Sequence, residues 1–94
     1  GNKGWTNYLE KSLGGFNPAD YGASNGKWQV LVRFIVDTDG TISNIRPETN
    51  FGHKMEETVV GMLIKGPKWK PAIHKGQPVR AIRVQPVTFI VEGM

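Results

Sequence analysis

The residues that could do chemistry in this chain are few and badly spaced for it. His53 and His74 are the two histidines; there is no cysteine and no H-x-x-x-H spacing. A zinc ion there would need carboxylates recruited from elsewhere, so both read as surface histidines. Asp37-x-Asp39-Gly40-x-Ile42 carries the letters of a calcium loop. With Gly40 at the obligatory sixth position, the first and twelfth ligands would be Ile35 and Arg46, and neither can coordinate. A tight turn explains the same letters, because Asp tolerates and stabilises turn geometry. Ser12, Ser24 and Ser43 have no nucleophile-elbow motif around them. Glu56 and Glu57 are adjacent, so on a helix they point in different directions and cannot face each other as an acid–base pair. No phosphate-binding glycine loop occurs. No catalytic residue, cofactor site or metal site is expected, and the chain is not expected to be an enzyme.

Charge gives a broader clue. The chain has 94 residues, net charge +4 and 38% hydrophobic residues, enough for one modest core. Such a chain leaves no room for a cleft between two domains, so residues 1–94 read as a single domain, with residues 1–4 the end of a linker or a tag remnant. The positive excess lies in the second half, where residues 65–83 hold six basic side chains and no acidic one. Lys68, Lys70, Lys75 and Arg80 are therefore either a solvated face or a surface for an acidic partner or nucleic acid. Trp28, Trp69 and Phe89 lie near basic residues, as in single-strand binders. Trp28 and Phe89 fall in apolar strand phases, which favours core packing; Trp69 reads as core or core edge. No apolar run approaches the ~20 residues that span a bilayer.

These residues must be positioned by elements that the periodicity reveals. Trp5, Tyr8, Leu9 and Leu13 recur at helical spacing over residues 4–13, before Gly14-Gly15. Residues 15–26 read as a loop. Trp28, Val30, Val32, Phe34 and Val36 alternate, marking a central strand with one buried face. Asp39-Gly40 turns the chain into a weaker return strand over residues 42–49, bulged because Ile42 and Ile45 are out of phase, with Pro47 suited to an edge. Met55, Val59, Met62 and Leu63 mark a second helix over residues 53–65, ended by a left-handed Gly66 before Pro67. A basic loop then leads to a last strand over residues 79–91. In it Ile82 and Val84 occupy one phase and Val87, Phe89 and Val91 the other, which predicts a bulge near Gln85-Pro86. The order is α-β-β-α-β: an α+β, two-layer sandwich with two helices on one face of a three-stranded, mostly antiparallel sheet. The opposite face stays open to water. The Pro-bearing last strand predicts an edge able to accept an extended peptide.

Several stretches resemble the TonB C-terminal domain, in the form common among energy transducers of the Bacteroidetes type. They are Asn25-Gly26-Lys27, the alternating Val30 to Val36 strand, Asp39-Gly40-x-Ile42-x-Asn44-Ile45, Pro67-Lys68-Trp69-Lys70-Pro71-Ala72, Gly76-Gln77-Pro78-Val79 and Pro86-Val87-x-Phe89. The P-K-W-K-P-A run followed by G-Q-P-V is the most specific part. The chain departs from the family pattern at Phe16-Asn17-Pro18, where a Tyr-Pro pair is usual, and at His53-Lys54, where an acidic residue often opens the helix.

The resemblance implies a periplasmic domain of an inner-membrane-anchored protein in the Gram-negative envelope. It implies binding of the TonB box, an extended segment of TonB-dependent outer-membrane receptors, and transmission of force from an inner-membrane proton-channel motor complex reached through segments outside this chain. The family's receptor-pairing strand falls here on Arg83, Val84, Gln85, Val87 and Thr88. An excised fragment with such an edge is expected to pair as a homodimer. Two alternatives remain beside the transducer reading. One is the periplasmic sensing or docking tail of a BlaR-type membrane metallopeptidase. The other is a small nucleic-acid-binding domain, although no nucleic-acid partner is expected.

Overall fold

The computed structural model describes residues 15–92. The helix expected over residues 4–13 lies outside the described residues, and among those described one α-helix, not two, stands against the sheet. The chain enters through a single 3-10 turn, Pro18–Tyr21, inside the segment expected to be loop. Asn17 caps it by accepting the Ala19 N–H at 3.0 Å, and Gly22 ends it at φ 93°.

The sheet has three antiparallel strands: β1 (Gly26–Val36), β2 (Ile42–Pro47) and β5 (Ala81–Val91), in the order β2-β1-β5. β1 is central, as its alternation predicts. The β1–β2 pairing shifts between Arg33 and Ile35, where β2 contributes one residue too many. The extra residue is accommodated by Asn44 at φ 50°, a conformation Asn tolerates better than most side chains. Asp39 lies in the turn between β1 and β2. The hydroxyl and N–H of Thr41 donate to its carboxylate and hold it below its ordinary pKa.

Helix α1 (Met55–Lys65) packs its Met55, Val59, Met62 and Leu63 stripe on β1 and β2. It begins two residues later than the periodicity suggests, because His53 and Lys54 are both left-handed at φ 55° and 62°. Its C-terminal Gly66 is extended (φ −79°, ψ −179°), not left-handed. The following Pro67 excludes helical backbone from the residue before it and stops the helix without a left-handed glycine.

Two expectations for the last third are corrected. The basic loop contains a ribbon, β3 (Ala72–His74) paired with β4 (Gln77–Val79) across Lys75-Gly76, both at positive φ. That is the two-residue turn which matches strand twist. β5 then begins at Ala81 and carries no bulge: it pairs with β1 in unbroken register from Ala81↔Val36 to Val91↔Gly26. Ile82 and Val84 sit in the outward phase and are simply exposed, 59% and 46%.

The core lies between α1 and the inner face of the sheet. Val30, Val32, Phe34 and Val36 of β1 meet Val87, Phe89 and Val91 of β5, all buried. Each such side chain stabilises the fold by about 1.5–3 kcal/mol through burial. Trp69 closes one end as a core-edge residue, its ring centroid 4.9 Å from that of Phe34. Its main-chain N–H donates to the Gly40 carbonyl at 3.0 Å. Gly40 has φ 88°, and a Cβ there would collide with the Trp69 carbonyl oxygen. At the other end Trp28 packs edge-on against Phe51 and His53. The His53 Nδ1 lies 2.9 Å from the Tyr21 carbonyl, so this histidine ties two loops together.

Candidate functional site

The free edge of β5 can be built from hydrogen-bond parity. In an antiparallel strand the N–H and C=O of one residue point to the same side, and sides alternate along the chain. Leu31 sends both toward β2: its carbonyl accepts the Glu48 N–H at 2.7 Å and its N–H donates to the Thr49 hydroxyl at 3.3 Å. Odd-numbered residues of β1 therefore face β2 and even-numbered ones face β5. With Leu31 opposite Pro86, the main-chain groups of Ala81, Arg83, Gln85, Val87 and Phe89 are turned into the sheet. Those of Ile82, Val84, Pro86, Thr88 and Ile90 point to the outer edge, where no strand pairs among the described residues.

Pro86 is placed accordingly. It has no N–H, and its position is one whose donor would face outward, so β5 joins β1 without losing a ladder bond. The Pro86 carbonyl is also occupied, accepting from the Gln85 side-chain amide at 2.8 Å. The edge is thereby divided. Ile82 and Val84 offer donors and acceptors on one side of the break, Thr88 and Ile90 on the other. Beside Thr88 and Ile90 runs an open groove walled by Phe16, Asn17 and Pro18.

The residues picked out from the sequence separate into two groups. Val84 and Thr88 present main chain to the edge and side chains to the outer face. Arg83, Gln85 and Val87 pair with Phe34, Val32 and Val30 of β1, with side chains on the inner face. Val87 is core, Gln85 half-buried and Arg83 exposed. Sequence reasoning missed Ile82 and Ile90 as edge residues, because parity is set by β2, whose partners no strand pattern of β5 can reveal. The basic residues are all exposed and strung along the chain between α1 and β5. Lys68 and Lys70 flank Trp69, Lys75 is at the ribbon tip, and Arg80 joins the ribbon to β5.

A second cluster has a structural role. Glu56 is 8% exposed and accepts three hydrogen bonds: from the Thr49 hydroxyl at 2.9 Å and from the Phe51 and Gly52 N–H groups at 3.0 Å each. Burial works to raise its pKa, but these donors outweigh it and hold the carboxyl below its ordinary value. The segment leaving β2 is thereby clamped to α1.

Against known families, the model for the Gram-negative bacterial TonB protein C-terminal matches residues 24–91, from just before β1 to the end of β5. The chain belongs to the TonB C-terminal family. The match takes in the whole sheet, α1 and the ribbon. TonB C-terminal domains are periplasmic, transport-associated and non-enzymatic. Neither the curated proteins nor the solved structures yielded a match to this TonB-family chain. No helix among its described residues is long and apolar enough to cross a membrane.

Proposed function

We propose that this chain is the receptor-gripping C-terminal domain of a TonB-like energy transducer. It adds the TonB box of an outer-membrane receptor as a fourth strand on β5 and passes on force derived from the proton gradient. The observation that carries this reading is the eleven-residue, unbulged β5 with no strand on its outer side among the described residues. A strand pulled along its own axis loads its main-chain hydrogen bonds in parallel and asks little of the peptide's side chains. The chain acts as one domain, held to an inner-membrane motor complex by segments outside this sequence. Lys68, Lys70, Lys75 and Arg80 supply a basic flank for acidic groups on the receptor. The same edge makes two copies of the chain able to pair as a homodimer at high concentration.

Within this reading the Gln85–Pro86 break sets the register. Pairing starts at Ile82 and Val84, and a peptide that continues to Thr88 must cross one position that offers no free donor. The absence of cysteine allows a clean test. Single cysteines at Val84 and Thr88 should form disulfides with cysteine-bearing TonB-box peptides, while a cysteine at Arg46 on β2 should not. Equal cross-linking from β2 and β5 would sink the assignment of the edge.

A further inference from the structure

Strand addition at an edge leaves the outer face of the sheet unused, and that face is not the polar surface its exposure would suggest. Leu31 and Ile35 of β1 stand beside Pro86 and Ile82 of β5, with Val84 next to Arg33. Ile82 is 59% and Val84 46% exposed, and Leu31 and Ile35 are half-buried. Two shallow depressions meet at the Ile35–Ile82 pair. One, of about 230 Å³, is lined by Arg33, Asn44 and Arg46 together with these isoleucines. The other, of about 410 Å³, is bounded by Arg80 and Ala81. The bulge at Asn44 brings that residue to the first depression.

Basic charge predominates at this rim. Arg33, Arg46 and Arg80 surround the apolar stripe. Glu48 lies 3.9 Å from the Arg33 guanidinium and offsets its charge, while Arg46 and Arg80 have no ion pair among the described residues. Neither the aromatics nor the symmetry favour the other occupants. Trp28, Phe34 and Phe89 all belong to the inner phase, so among the described residues the outer face has no ring on which a nucleic-acid base could stack or that could seat at a lipid headgroup. A second copy placed face to face would set arginines against arginines.

We propose that the outer face is a second docking surface, which takes an acidic amphipathic helix from a partner polypeptide. The chemistry is complementary: an apolar stripe for the face, carboxylates for the Arg46 and Arg80 guanidinium groups. The dimensions also suit. From Leu31 to Ile35 the stripe runs about 13 Å, the length of roughly nine helical residues. A helix laid there would cover the apolar stripe that an antiparallel sheet otherwise leaves facing water. This surface shares Ile82 and Val84 with the β5 edge, but it uses their side chains where strand addition uses their main-chain groups.

The test is a titration of the isotopically labelled 94-residue chain with a helical peptide of about 18 residues, Leu at i, i+3, i+4 and i+7 and Glu elsewhere. Saturable amide shifts are expected at Leu31, Arg33, Ile35, Ile82 and Val84. Ile82→Asp and Arg46→Glu, both at exposed positions that leave the core intact, should each weaken binding about tenfold. No saturable binding, or binding undiminished in both variants, overturns the proposal. So does tighter binding of phosphatidylglycerol vesicles or of an oligothymidine at the same residues. A concentration-dependent dimer that Ile82→Asp abolishes would assign the face to self-association instead and would equally overturn it.

Discussion

The two edges of the sheet are protected to very different degrees. β2 is six residues long, bulged at Asn44 and ended by Pro47. It is tied at both ends. Before it, Gly40 is locked under Trp69; after it, Glu48 and Thr49 bond to Leu31 and Glu56 clamps the next turn. Short, bulged edges are how sheets avoid pairing with other chains; proline stands on both strands, Pro47 ending β2 and Pro86 interrupting β5 at one position. β5 is nearly twice as long, has no bulge and, among the described residues, holds only the Gln85–Pro86 bond along its rim. Pairing competence is thus concentrated on one side. The contrast favours β5 over β2 as the strand that receives a peptide.

The largest expected effect is one that destroys the contrast altogether. Phe34 is fully buried between the sheet and Trp69. Phe34→Ala should cost about 3–5 kcal/mol in urea unfolding and loosen both edges together. Gly40→Ala acts on the β2 side alone. It forces a Cβ into the Trp69 carbonyl at a left-handed position and disturbs the Trp69 N–H bond, for a loss of about 2–3 kcal/mol. Amide exchange should speed up first in β2, with β5 following only at the global rate.

Glu56→Gln comes next, at about 1–2 kcal/mol near neutral pH, because an amide nitrogen must now face an N–H or hydroxyl donor. Its pH dependence has a definite sign. The folded carboxyl has a lower pKa than the unfolded one, so its contribution is complete above the ordinary value of 4.5 and is lost as pH falls through the folded value. Glu56→Gln should flatten the acid limb of the stability profile and leave the neutral and alkaline limbs parallel. The smallest effect on stability and the sharpest on the comparison belong to Pro86→Ala. It restores an outward donor without touching the β1 ladder. Stability should change by less than about 1 kcal/mol, while affinity for a strand-forming peptide should rise about fivefold by calorimetry, the worth of one net hydrogen bond.

Much of the protected side is legible in the sequence, and much of the open side is not. Alternation from Trp28 to Val36 identifies the central strand, and the phase break between Ile42 and Ile45 identifies the bulge at Asn44. Trp69 is legible as a core-edge residue because it directly follows a helix whose stripe needs an end. The same phase argument fails on β5. It turns Ile82 and Val84 inward and needs a bulge to reconcile them with Val87. Apolar residues also occupy surfaces, and here they form the outer stripe. The β3–β4 ribbon escapes detection because three-residue strands are too short to show a period; Lys75-Gly76 between two short extended runs is the available signal. Glu56 reads in the sequence by its neighbour Glu57 and not by Thr49 and Gly52, which only the fold brings to it. The parity that exposes Ile82, Val84, Thr88 and Ile90 at the edge follows from the partners of Leu31, and tertiary pairing alone decides that.

The most direct measurement is an amide titration of the 94-residue chain with TonB-box peptides from TonB-dependent receptors. The expected result is shifts and slowed hydrogen exchange at Ile82, Val84, Thr88 and Ile90, with the β2 amides unchanged. Shifts confined to β2, or slowed exchange at Arg83, Gln85 and Val87 without any at the even-numbered positions, would contradict the assignment of β5 as the receiving edge.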